Sequence, residues 1–357
     1  MGAYYFWGKG SYAPVVVAIP LFGIVSSTYT AQTTNSAAGF GQATYAFTDA
    51  TSLTIGGRLT AESKHIDASG SVYVTAPGLS IPQGPIHESI TATRPTWRAA
   101  LDHKLTADTM VYVSYNRGFK SGGFDPASTS VAVPFKPEVL DATEVGIKSE
   151  FLDRRLRVNA AGFYYDYRNI QLNSFTTGFS SIYNGKSAKI YGLDMDLTAA
   201  ATDHLTFTLG LSLLHDRFGD FPISQTATVA TGGIVALPEA ASAEGKRLPN
   251  TPDWQLNAGA EYSIPLSSGS VVLAADFFHS DKWYSTPENK AFQKPYNLTN
   301  TSATWLFGPQ ERHSLRLWGR NLGNVAYAVQ SVIQVPIGYE EEVGEGRTFG
   351  VTLGTKF

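Results

Sequence analysis

The sequence contains no cysteine. That absence excludes disulfide frameworks, thiol nucleophiles, iron–sulfur clusters and cysteine-rich zinc sites. Charge is scarce too: Asp, Glu, Lys and Arg make up 16% of 357 residues, and 27 basic against 30 acidic side chains leave a formal net charge of −3. So balanced a chain carries no electrostatic footprint for nucleic acid. No stretch reaches the roughly 18 apolar residues that a transmembrane helix needs. The nearest, 13–25, is short and interrupted by Pro14 and Pro20, so crossing a membrane by helices is excluded. It follows the lone charge of Lys9 and an aromatic run over 4–7. It therefore reads as loop and strand, since a secretion signal opens with several positive charges.

Hydrophobic residues nevertheless reach 43%, and Gly (34), Phe (20) and Tyr (18) are abundant, which is not a disordered profile. Helical periodicity is nearly absent. Period-two alternation runs instead from end to end. Leu205, Phe207, Leu209 and Leu211 alternate with Thr206, Thr208, Gly210 and Ser212; Trp254, Leu256, Ala258, Ala260 and Tyr262 alternate with Gln255, Asn257, Gly259 and Glu261. Similar patterns occur at 53–60 and 191–197. One face is greasy and the other is small or polar.

Alternation alone also fits a soluble sandwich whose apolar face points inward. The turns separate the two cases. Short polar turns are expected at 48–51, 106–109, 152–155, 201–204, 266–269 and 307–312, and long connections at 61–91, 118–139, 173–187, 217–249, 281–294 and 323–345. Short and long alternate, so the tight turns gather at one end of the sheet and the long loops at the other, the asymmetry of an outer-membrane barrel. Aromatics collect near strand ends, as at Phe163, Tyr164, Tyr165 and Tyr167, and suggest interfacial girdles. About thirteen strands from residue 37 onward, plus one near 3–7, give about fourteen. No domain boundary is visible, and 222–244 reads as flexible outer loop. The expected architecture is one all-β domain over 1–357, an antiparallel up-and-down transmembrane β-barrel.

Six segments in order then carry a family resemblance: FGQATYAFTDATSLTIGGRLTAESK (40–64), YNRGFKSGGFD (115–125), PEVLDATEVGIKSEFLDRRLRVNAAGFYYDYRNIQ (137–171), GLDMDL (192–197), LPNTPDW (248–254) and GRNLGNVAYA (319–328). Together they resemble the C-terminal barrel of TonB-dependent outer-membrane receptors of the siderophore-receptor type. The resemblance implies the outer membrane of a Gram-negative cell, uptake of a scarce nutrient such as a ferric siderophore, energy from the TonB complex, and no enzymatic activity or cofactor. It implies contact with membrane lipid and with the barrel-assembly machinery, which would read the terminal strand through Phe349, Val351, Leu353 and Phe357. Full receptors of this family have twenty-two strands, a plug inside the barrel and an N-terminal coupling segment. Neither plug nor coupling segment is recognised here, so the expectation is a partial receptor barrel. A stand-alone porin-like channel is the alternative, and a soluble all-β binding protein a more distant one.

Charge at the lipid midplane costs about 2 to 4 kcal/mol for Arg or Lys, so alternation assigns charged strand residues to the lumen. Arg58, Arg94, Arg98, Lys148, Arg316 and Arg320 become candidate contacts for an anionic ligand or a plug, alongside Asp102, Lys104, Glu144 and Glu150. Lumen solvation and cross-strand pairing explain the same pattern. The seven histidines form no pair at helical metal spacing, and Glu340, Glu341 and Glu342 read as a solvated loop face. No phosphate-cradling glycine motif or nucleophile elbow occurs.

Overall fold

The computed structural model describes residues 1–357 except 20–22, 126–132, 177–178, 224–227, 231–232, 236–240, 335–337 and 357. Fourteen strands form one antiparallel sheet. They are β1 (Gly2–Ile19), β2 (Ile24–Ala46), β3 (Thr51–Val74), β4 (Leu79–Thr106), β5 (Thr109–Lys120), β6 (Glu138–Phe151) and β7 (Leu156–Arg168). They continue as β8 (Ser187–Ala200), β9 (Leu205–Phe218), β10 (Trp254–Leu266), β11 (Gly269–Ser280), β12 (Tyr296–Phe307), β13 (His313–Arg320) and β14 (Thr348–Thr355). Each pairs with its neighbours in sequence order, an up-and-down meander, and β1 and β14 are its edges among the described residues. No helix among the described residues is long and apolar enough to cross a membrane.

All six expected short turns are present and lie at one end of the sheet. In the turn at 48–51, the Thr48 hydroxyl accepts the backbone N–H of Ala50 and Thr51. At 152–155, three consecutive residues with positive φ, Leu152, Asp153 and Arg154, reverse the chain. The opposite end differs from expectation at its first two connections. The segment 61–91, expected to be a long loop, is strand except at its tip, because β3 and β4 pair from Thr51↔His103 to Val74↔Leu79. Likewise β1 and β2 are far longer than the segments the alternation marked. At ~3.3 Å per residue, such strands outrun any lipid band. Beyond it, outward positions such as Ser63, His65 and Asp67 meet water, so the hydrophobic signal disappears although the strand continues. On the other face of this raised ribbon Ile66 and Ala68 are buried with Phe124, backed by Ile86 and Ile90.

Cross-strand register defines the two faces. On one, Val113, Val145, Gly162, Leu193 and Leu213 stand side by side across β5–β9. These apolar side chains are not packed into a core: Val145 is 61% exposed and Phe349 69%. A soluble sandwich would bury them, and that alternative fails here. Aromatics bound this face at two levels. Tyr45, Phe151, Phe207, Tyr262 and Trp305 lie toward the short turns, whereas Tyr115, Tyr164, Tyr191 and Trp254 lie toward the long connections. Eight residues separate Trp254 from Tyr262 on β10, roughly 26 Å along a strand, which after tilting suits the hydrocarbon band of an outer membrane.

Candidate functional site

The polar face is the other side of the same strands. Arg98 is registered with Asn116, Ser114 with Glu144, and Met110 with Lys148. The row continues through Asn159, Asp196, Gly210 and Asn257. A cleft of about 250 Å³ opens between β4, β5 and β6, lined by Arg98, Asp102, Tyr112, Asn116, Glu144 and Lys148. Inside it the Tyr112 hydroxyl donates to Glu144 at 2.5 Å, and the Lys148 ammonium lies 5.7 Å from the Tyr112 ring centre.

Three of the sequence-derived arginines are register neighbours on this polar face, and Arg98 also lines the cleft. Arg58 on β3 faces Thr96 in the register, and Thr96 lies midway between Arg94 and Arg98 on β4. Among the described residues none of the three has a carboxylate within ion-pair reach. Arg58 donates from Nε to Thr60 Oγ1 at 2.9 Å and lies 5.1 Å and 5.6 Å from the Tyr4 and Phe40 ring centres. Aromatic faces thus hold a guanidinium that no carboxylate among the described residues neutralises. Arg316 and Arg320 share the polar face but stand apart on β13, where Arg320 lies 5.1 Å from the Trp318 ring centre and Arg316 is registered with Thr304 and Thr352. Acidic groups concentrate between these two basic zones. Asp194 accepts from the Ser212 hydroxyl at 2.7 Å, and Asp276 from the Asn300 side-chain amide at 2.6 Å.

The rim of the polar face holds a network that alternation does not reveal. Asp216, fully buried at the end of β9, accepts the Arg247 guanidinium, the Thr251 hydroxyl and the Leu248 backbone N–H at 2.8 Å. Arg247 also donates to Asp253 and to the Thr251 carbonyl at 2.7 Å, and Asn289 brackets its backbone. Below lies an apolar cluster of Ile170, Ala188, Phe218, Phe221, Ala243 and Leu248. The ends of the long connection 217–249 are therefore packed. Arg247 and the LPNTPDW segment that follows it supply the anchor; in the sequence that segment carries only the family resemblance.

Glu341 and Glu342 lie on a two-stranded hairpin, Ala328–Gln334 with Gly338–Val343, along with Glu340. Among the described residues no group of His, Asp and Glu is arranged to hold a metal ion. Phe349, Val351 and Leu353 project from the apolar face of β14, opposite Gly319, Leu317 and Leu315. Phe357 lies outside the described residues.

The family model described as "TonB dependent receptor-like, beta-barrel" matches residues 2–322. By sequence the chain is similar to the catecholate siderophore receptor Fiu of Escherichia coli K12, 24% identical over 273 residues, which cover 73% of this chain and 32% of that receptor. It is also similar to the probable TonB-dependent siderophore receptor PiuA of Acinetobacter baumannii, 24% identical over 208 residues, covering 56% of this chain and 26% of that one. The ferric yersiniabactin uptake receptor FyuA of Yersinia pestis shares the fold, with a TM-score of 0.80 at 18% identity over 99% of this chain and 50% of that structure. The chain thus spans about a third or less of the curated relatives it matches.

Proposed function

The chain belongs to the TonB-dependent receptor-like β-barrel family, and on that premise we propose that residues 1–357 are one barrel-wall domain of an outer-membrane uptake receptor for a ferric siderophore. The long connections face the outside of a Gram-negative cell and the short turns the periplasm. The apolar face meets lipid, and the polar face lines the lumen. The observation that carries this reading is the family match on a sheet with one exposed, aromatic-bounded apolar face. The ligand class is supported by the names of the sequence relatives, both siderophore receptors. It is also supported by the chemistry of Arg58, Arg94 and Arg98, whose uncompensated guanidiniums suit an anionic ferric chelate. Energy for transport would come from the TonB complex, and the barrel-assembly machinery would insert the sheet through β14.

The test is performed on the full-length gene product in iron-starved cells. Fractionation places it in the outer membrane, and labelled ferric catecholate enters only while TonB is present. Replacing Arg58, Arg94 and Arg98 together with Gln lowers uptake on the order of tenfold or more, as expected when charge-assisted hydrogen bonds to an anion are lost. Uptake that survives without TonB overturns the transport reading. Unchanged uptake in the triple variant overturns the arginine assignment alone.

A further inference from the structure

The long connections from 118–139 onward are joined to one another by side chains rather than by strand ladders. Asn184, which ends the hairpin Gln171–Thr176 with Phe179–Asn184, takes both backbone groups of Lys136 in the connection before it. The Lys136 N–H donates to Asn184 Oδ1 at 2.7 Å, and Asn184 Nδ2 donates to the Lys136 carbonyl at 2.9 Å. Asn289 in 281–294 treats Arg247 in 217–249 the same way. The Arg247 N–H donates to Asn289 Oδ1 at 2.8 Å, and Asn289 Nδ2 donates to the Arg247 carbonyl at 2.9 Å.

The remaining neighbours are linked as well. Between the two asparagine pairs, the Lys186 ammonium reaches Asp220 at 3.0 Å, and Ile170 and Ala188 share an apolar cluster with Phe218, Phe221 and Leu248. From 281–294 to 323–345, the Ala328 N–H donates to Gln293 Oε1 at 2.7 Å, and the Tyr296 and Tyr327 rings stack 4.9 Å apart. The series then closes across the mouth. Ala328–Gln334 lies beside Gln171–Thr176, although β13 and β7 are far apart in the sheet.

A primary amide offers a donor and an acceptor in one plane. It can therefore stand in for the edge of a neighbouring strand and satisfy the N–H and C=O of a single residue. Asn289 has a φ of 57°, a backbone that Asn tolerates. Arg247 in turn is fixed to the wall, because its guanidinium holds Asp216 on β9, Asp253 just before β10 and the Thr251 carbonyl.

We propose that the described parts of these connections form one preassembled collar at the outer mouth, with Asn184 and Asn289 as positioning residues that set its spacing. A mouth already ordered loses less freedom on meeting a ligand than separate loops would. The collar rests on the contacts alone, and only its kinetic consequence rests on the uptake reading.

Hydrogen–deuterium exchange on the full-length receptor, without ligand, tests the collar. Asn289→Gly keeps the positive φ and removes both bonds to Arg247. Exchange then rises on the order of tenfold at 247–250 and 283–293, as expected for a lost hydrogen bond. It rises also at 169–172 and 328–330, which Asn289 does not touch. Asn184→Ala gives the reciprocal result, reaching 247–250. A rise confined to the segments that each asparagine touches overturns the collar, because independent loops behave that way. In cells, both variants raise the KM for labelled ferric catecholate on the order of 3- to 10-fold with the maximal rate unchanged. Wild-type KM in both overturns the positioning role. Heat-modifiable migration reports folding. Should either variant not fold, Gln293→Ala, which removes the bond to Ala328, must raise exchange at 247–250 as well as at 328–330. A wild-type receptor that takes up no ferric catecholate overturns the uptake reading and leaves the exchange result to decide the collar.

Discussion

Val145 and Asn159 are on adjacent strands and face opposite ways. Val145 lies within the exposed apolar band, and Asn159 lies on the polar face in register with Lys148 and Asp196. An arginine at Val145 would place charge among acyl chains, whereas at Asn159 it would meet water, with the Asp196 carboxylate on one side and the Lys148 ammonium on the other. Val145→Arg should therefore cost about 2 to 4 kcal/mol, and Asn159→Arg less than about 1 kcal/mol. Urea titrations of the chain folded into lipid vesicles measure both, and equal losses would mean that the faces are wrongly assigned. Facing direction was legible for single residues because alternation survives wherever lipid lies on one side: Arg58, Arg94, Arg98, Lys148, Arg316 and Arg320 all occupy the polar face. The Asp216–Arg247 contact was not legible. Its partners are 31 residues apart in sequence, and no periodicity links a strand end to the far end of a long connection. Gly192 is another position that pattern alone leaves unexplained. A Cβ there would come within 2.1 Å of the Leu213 carbonyl oxygen and 2.8 Å of the Phe163 ring.

The raised β3–β4 ribbon is the element on which sequence and structure differ most. Its outward residues are polar because they are solvated, so a pattern tuned to lipid ends where the lipid ends while the hydrogen-bonded ladder continues. Short turns were easier to find, since 48–51, 152–155 and 201–204 are compact polar breaks between alternating runs. On the outward side of the ribbon, Asp67 accepts from or pairs with His87 at 2.6 Å and His65 at 3.2 Å. The His87 hydrogen bond is the chief cause holding the Asp67 carboxyl below the ordinary 3.8; desolvation opposes it, and the His65 contacts add to the lowering. A carboxylate with a depressed folded-state pKa contributes stability that is complete above its unfolded value and is lost as pH falls through the folded value. Amide exchange around 65–68 and 86–88 should therefore accelerate, relative to Asp67→Asn, only as the pH drops below about 4. The same acceleration already present at neutral pH would remove Asp67 from any role in holding the ribbon.

Across the whole molecule, fourteen strands, one meander and one end for every short turn follow from the alternation and its breaks, and the match to the receptor barrel family agrees with them. The ligand is less legible, because a basic patch on a polar wall specifies charge and not chemical identity. The central claim is that a single sheet separates lipid from a polar lumen along every strand. Absence of cysteine makes it directly measurable, since any introduced thiol is unique. Single cysteines at 113, 145, 193 and 213 on the apolar face, and at 114, 144, 194 and 212 on the polar face, can carry nitroxide labels in lipid vesicles. The account predicts that the first set collides with dissolved oxygen and the second with a water-soluble nickel chelate, alternating residue by residue. Equal access of the chelate to both sets would contradict it.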